Sequence, residues 1–177
     1  MAIYALGDVV PDIHPDAYVH PEATVIGDVR VGAESTLWPQ SVLRGDYGRI
    51  EVGARTSIQD GAVIHCTEAH ATFIGDDCVI GHLAHLEGCR VEDGALVGTG
   101  AVVLHRAVIG SGALVGAGAV VPNDMQVPPV AMALGVPAKL RLDAVQPGMI
   151  AEMKDNYVRN AYRYKAELRR IDSSANP

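Results

Sequence analysis

Two imidazoles and a carboxylate pose the chemical question. His65, His82 and Glu87 are residue types that hold divalent metal ions or move protons, and Gln59 beside them can hold a water or a polar substrate group. Either use requires the side chains to meet in space. An isolated histidine is more often a surface residue, so the elements that carry these side chains must decide.

Those elements are written as a repeat. In VEDGALVGTGAVVLHRAVIGSGALVGAGAVV, residues 91 to 121, an aliphatic residue falls on every sixth position: Val91, Val97, Val103, Ile109, Val115 and Val121. Ala95, Ala101, Ala107, Ala113 and Ala119 follow four residues after the first five. A helical period of 3.6 would scatter these positions, and a strand period of 2 would have to alternate straight through the glycines. Short parallel strands joined by tight corners, stacked coil on coil, satisfy a period of six, each coil burying its apolar residues against the next. The spacing therefore predicts a parallel β-helix of hexapeptide repeats. Val19, Val25, Val31, Leu37 and Leu43 carry the same step, as do Val52, Ile58 and Ile64, and then Ile74, Ile80 and Leu86.

The step fails three times, at Arg44 to Arg49, at residues 66 to 73, and between Leu86 and Val91. A solenoid accepts insertions at its corners, so the first two segments should bulge outward. Clustered irregularity in a repeat costs stability and suggests function. The register then places residues. Gln59, His65 and Glu87 each follow an inward aliphatic and should point outward, and one full turn brings His65 beneath Glu87, about 4.8 Å away. His82 lies on the preceding face near a corner, where it could meet the other two only from a neighbouring subunit about a threefold axis. His85, at the sixth position of its hexad, is expected on a corner.

Residues 1 to 18 read as an N-terminal cap, 19 to 127 as the β-helix, and 128 to 142 as a connecting segment in which prolines close the prism. Residues 143 to 172 read as an amphipathic α-helix laid along it, within a single domain, with the final SSANP expected to fray. A hydrophobic content of 49% with only 5% aromatic residues fits a core of stacked aliphatics. A net charge of −7 argues against nucleic acid or an anionic membrane as partner. The start of the chain has no charged leader with an apolar run, and a cytoplasmic protein is expected. Cys66, Cys78 and Cys89 are read as reduced thiols, with Cys78 packed inward.

Three blocks add a resemblance. Arg44-Gly45-Asp46, SIQDGAVIH at Ser57 to His65, and IGHLAHLEGC at Ile80 to Cys89 resemble the γ-class carbonic anhydrase-like family of hexapeptide-repeat proteins. The resemblance implies a left-handed prism, a homotrimer and a small-molecule substrate. It also implies a zinc ion, with iron or cobalt as substitutes, held between subunits by three histidines and supplying hydroxide to carbon dioxide, a carbonate dehydratase (lyase) activity. His65 and His82 match two ligand positions, and Gln59 matches the residue that bonds metal-bound water or substrate. Arg44 and Asp46 match the pair that organises the site, with Asp60 beside them and Tyr157 overhanging the pocket. The chain departs at Glu87, where the family pattern LHGC has histidine. Glu87 could complete a His₂Glu site, with His85 as a substitute ligand, or could be an interface charge paired to Arg90 or to Arg44 of a neighbour. Two other functions stay open: an acyltransferase or acyl-thioester hydrolase on the same prism, and a non-catalytic trimeric binding or assembly protein. His14, His20, His70 and His105 match nothing and are read as solvated or capping residues, though His70 could approach the site.

Overall fold

The computed structural model describes residues 2–146 and 148–171, apart from the side chain of residue 151. Three sets of short parallel strands alternate along the chain, and from Ser57–Ile58 to Leu114–Val115 each strand pairs with the one three elements later, so every coil has three faces. The first face stacks Tyr18–Val19, Thr36–Leu37, Ser57–Ile58, Val79–Ile80, Leu96–Val97, Leu114–Val115 and Met132–Leu134. The second carries Val63–His65, His85–Glu87, Val102–Val103 and Val120–Val121, and the third Thr72–Ile74, Arg90–Val91, Val108–Ile109 and Gln126–Val127. Two longer strands, Thr24–Val31 and Val42–Val52, run from the second face round to the third. This is the parallel β-helix that the period of six predicts.

The hexad aliphatics fill the interior. Leu37, Ile58, Ile80, Val97 and Val115 have no exposed surface, nor do Leu43, Ile64, Leu86 and Val103 on the second face. Small residues occupy the inside of the corners, where a longer side chain would collide with the coil above: Ala62, Ala84, Ala101 and Ala119 form one such column. At the next corner the column is Ser35, Thr56 and Cys78, and its hydroxyls are satisfied between coils. Ser35 Oγ donates to the Gly53 carbonyl at 2.6 Å, and Thr56 Oγ1 to that of Gly75 at 2.7 Å. All three cysteines are free and buried, and burial pushes the Cys78 and Cys89 thiols up to about 12, so both are packing residues.

All three breaks fall at one corner, between the second and third faces. The strand Val42–Val52 matches Gly27 to Gly45 and Val29 to Ile50, leaving 46–49 outside the ladder. Directly above, the chain leaves the second face at His65 and rejoins the third at Thr72. The short step from Leu86 to Val91 lies on the coil above that.

Three boundaries differ from expectation. The prism begins within the lead-in, because Ala2–Tyr4 and Asp12–Ile13 are themselves strands paired in parallel with Thr24–Val31. It also continues past Val127: Met132 and Ala133 pair with Leu114 and Val115, and an antiparallel return at Lys139–Arg141 closes the end. Pro128 and Pro129 do not stop the coil. The N–H of the equivalent Gly110 donates to the coil above, at Val127 O, and on the last coil that bond has no taker. The α-helix runs Met149–Glu167, shorter than 143–172, because Gly148 at φ 83° sets its start. The expected fraying of SSANP lies outside the described residues.

The helix lies on the first face. Tyr157, Ala161 and Tyr164 meet Tyr18 and Trp38, with Tyr164 edge-on to Trp38 at a ring separation of 5.0 Å. Lys154 adds an ion pair to Asp77 at 3.2 Å. No helix among the described residues is long and apolar enough to cross a membrane.

Candidate functional site

Strand register builds the site. On the second face the residue after each inward aliphatic forms one column, Arg44, His65 and Glu87 on successive coils, as the hexad count predicts. The stacking brings His65 Nδ1 to 2.7 Å from Glu87 Oε1. Its Nε2 lies 2.9 Å from Oδ1 of Asp46, which sits at the start of the bulge and is also bonded by Arg44 Nη1. His65 thus bridges two carboxylates. For both contacts to be hydrogen bonds, both ring nitrogens must carry hydrogen.

The carboxylates are held in their charged form. Burial pushes the Asp46 carboxyl up, but the bonds from His65 and Arg44 outweigh it and leave the group below its ordinary range. Burial likewise raises Glu87, and its contacts with His65 and His105 bring it below the ordinary value. His105 belongs to the next coil. Its Nε2 is buried 3.2 Å from Glu87 Oε2, within ion-pair distance but not aligned for a hydrogen bond.

Two expectations about histidines change. His105 is neither solvated nor a cap, because the corner at Leu104 to Arg106 hangs its ring back over Gly88 and the glutamate. His85 is the first residue of a strand rather than a corner residue, so it faces outward beside Glu87, Nε2 to Oε2 3.8 Å. His70, in the loop after His65, lies tilted beside His105 at a ring separation of 5.7 Å, and its Nε2 accepts from Arg106 at 3.0 Å.

The loop is stitched to the site by Thr72, which sequence reasoning did not single out. Its buried hydroxyl donates to the His65 carbonyl at 2.5 Å and accepts from the Gly88 N–H at 2.8 Å. One hydroxyl thus ties the strand end of His65 to that of Glu87 where the ladder between them ends. The signal was a threonine just before the point where the hexads resume.

The remaining expected residues form a second cluster, at the corner between the first and second faces. His82 pairs through Nδ1 with Asp60 Oδ2 at 2.9 Å, each side chain about half exposed. Gln59 is not free to reach a ligand; it is 4% exposed, and its Oε1 accepts from the His82 N–H at 3.2 Å. Tyr157 does not overhang His65 and Glu87; its ring packs on Trp38 at 6.0 Å on the first face, where burial, aided by the nearby Asp60 charge, raises its hydroxyl. Arg90 does not pair with Glu87 but lies round the corner, its guanidinium stacked on Phe73 at 4.6 Å. The chain therefore brings Arg44, Asp46, His65 and Glu87 together and holds Gln59, Asp60 and His82 apart from them.

Comparison with known proteins sets this geometry in context. A family model of bacterial transferase hexapeptides, six repeats long, matches residues 88–123. The carnitine operon protein CaiE of Escherichia coli O157:H7 is 46% identical over 103 residues, 58% of this chain and 53% of CaiE. The chain thus spans about half the length of the curated relatives it matches. A solved candidate acetyltransferase from Bacillus cereus is 32% identical with a TM-score of 0.91, covering 93% of this chain and 97% of that one. A hexapeptide transferase family protein from Anaplasma phagocytophilum is also 32% identical, with a TM-score of 0.88 over 92% of this chain and 98% of that one.

Proposed function

Because this chain belongs to the hexapeptide-repeat transferase family, we propose that it is an acyl-group enzyme. It would move an acyl group from a small-molecule thioester to water or to an amine or hydroxyl acceptor. The observation that carries this reading is the His65–Glu87 pair across adjacent coils at 2.7 Å, an imidazole with a carboxylate that orients it. The transferase descriptions of its relatives support the same class.

In this reading Glu87 accepts the Nδ1 hydrogen and fixes the tautomer, leaving Nε2 as the base. Nε2 takes a proton from the acceptor as its oxygen or nitrogen attacks the thioester carbonyl. When the tetrahedral intermediate collapses, the carbon–sulfur bond breaks and the sulfur leaves with the proton returned by His65. Asp46 must vacate Nε2 for this, and Arg44 is already bonded to it. The arrangement described above corresponds to the proton-bearing half of the cycle. We infer in addition a homotrimer, in which the His82–Asp60 pair of one copy faces His65 and Glu87 of the next. The separation of the two clusters on one prism supports this.

The second reading is carbon dioxide hydration at a zinc, iron or cobalt ion, favoured by the stacking of His65 beneath Glu87. The donors of one chain do not fit such an ion. Both nitrogens of His65 face carboxylates, His82 is held by Asp60, and among the described residues no group of three His, Cys, Asp or Glu side chains is placed to hold a metal ion. A third reading is a non-catalytic trimer.

Thiol release from acyl thioesters, stopped-flow hydration of carbon dioxide and metal content, measured on one preparation, separate these. Thiol release that falls by about 10²–10⁴ in His65→Gln supports the acyl reading. One metal per chain with hydration and no thiol release replaces it with the lyase. A metal-bound but inert protein that Glu87→His activates would identify the glutamate as the cause. A trimer inert in every assay leaves the binding module.

A further inference from the structure

Beyond Glu87 the same corner carries an open, shallow cavity of about 280 Å³, lined by His70, Phe73, Gly88, Arg90 and Arg106. Its surroundings are cationic on a chain whose net charge is −7. Arg106 is already committed, bonded to Asp124 through Nε and Nη2 and to His70 through Nη1. Arg90 is different. Arg44, Arg49, Arg55 and Arg106 each hold a carboxylate, whereas among the described residues Arg90 has no ion-pair partner. Its guanidinium is exposed and kept flat by the Phe73 ring, so its donors are oriented without being used.

A larger cavity of about 610 Å³ on the third face shares Phe73 and Arg90 with this one but is lined by Glu51, Glu92 and Asp93. Those three carboxylates repel an anion from the third-face cavity, so the side of Arg90 that faces His70 and Arg106 is the less acidic one. The path from there to the proposed reacting centre is short: His70 lies beside His105, and His105 contacts Glu87.

We propose that this corner cavity is an anion-binding subsite, in which Arg90 takes the phosphate or carboxylate handle of a substrate whose reacting group lies over His65 and Glu87. The anion subsite stands on its own geometry, and only the identity of the reacting group rests on the acyl reading. A guanidinium stacked on an aromatic ring keeps its fork of donors pre-formed, which suits a group with two or three oxygens.

Titration calorimetry of the intact protein with inorganic phosphate, and separately with acetate, tests the subsite. Arg90→Gln should weaken binding of the preferred anion about tenfold or more, with an unchanged melting temperature. Tighter binding of phosphate assigns the handle as a phosphate, and tighter binding of acetate as a carboxylate. Binding of neither anion, or binding indifferent to Arg90→Gln, overturns the proposal. In kinetics, Arg90→Gln should raise KM for acyl thioesters that carry the anion while leaving kcat, and should not change turnover of neutral truncated thioesters. Anion binding that depends on Arg90, in a protein without thiol release, would sink the acyl reading and leave the subsite standing.

Discussion

Thr72→Val removes one oxygen at nearly constant volume and tests how the site is held. The hydroxyl is fully buried and makes two bonds, to the His65 carbonyl and from the Gly88 N–H. Valine leaves both backbone groups without that partner. Each buried group left unsatisfied costs roughly 1–3 kcal/mol, so the variant should lose roughly 2–6 kcal/mol if neither finds water. Thr72→Ser keeps the hydroxyl and should lose only the methyl packing, roughly 1 kcal/mol. Urea unfolding followed by circular dichroism measures both; the midpoint should move while the slope stays constant. The effect should also reach the chemistry. Freed at this corner, His65 and Glu87 lose their fixed spacing, so turnover at saturating substrate should drop in the valine variant and recover in the serine one. A valine variant as stable and as active as the parent would show that strand pairing alone sets the spacing.

Three further outcomes follow from the same geometry. Asp77 is bonded by Arg55 and Lys154, which hold its carboxyl below the ordinary range, so its contribution is present above that range and lost as pH falls through it. Acidification below about pH 4 should therefore loosen the helix Met149–Glu167, and the emission of Trp38, the single tryptophan, should shift to the red before the coils melt; Asp77→Asn should abolish that step. Ala101→Leu puts a branched side chain into a fully buried corner column and should destabilise by about 1–3 kcal/mol in thermal unfolding. Ile80→Ala should cost about 2–5 kcal/mol, because the coils on either side are tied by their ladders and cannot close over the gap.

The period of six made the architecture and its register readable, because only one inward residue per face can fill a narrow prism. From that register the pairing of His65 with Glu87 followed, as did the outward bulges. What the sequence did not disclose depends on side chains crossing between coils. His105 reaches Glu87 from the following corner, a direction that no count of sixes contains. Gln59 is buried because its amide oxygen is taken by the His82 N–H on the coil above, a bond that the spacing alone does not specify. The first coil stayed hidden because Ile3 and Ile13 are separated by a detour at the same irregular corner; each nevertheless finds its partner, Val25 and Val31, in the strand above. Boundaries read from proline failed where the lost N–H had nothing above it to bond.

That every irregular step shares one edge gives the molecule an anisotropic tolerance. Along the stacking axis, dimensions are quantised by the rung spacing, and a side chain can be relocated only by whole coils. Across that edge the outermost residues of each bulge can lengthen with no interior residue changing its neighbours. The exposed tips of the two bulges, at Tyr47 and at residues 68–69, are thus the natural place to graft sequence when a different substrate is wanted, since Asp46, Cys66 and His70 beside them are held by the site and the core.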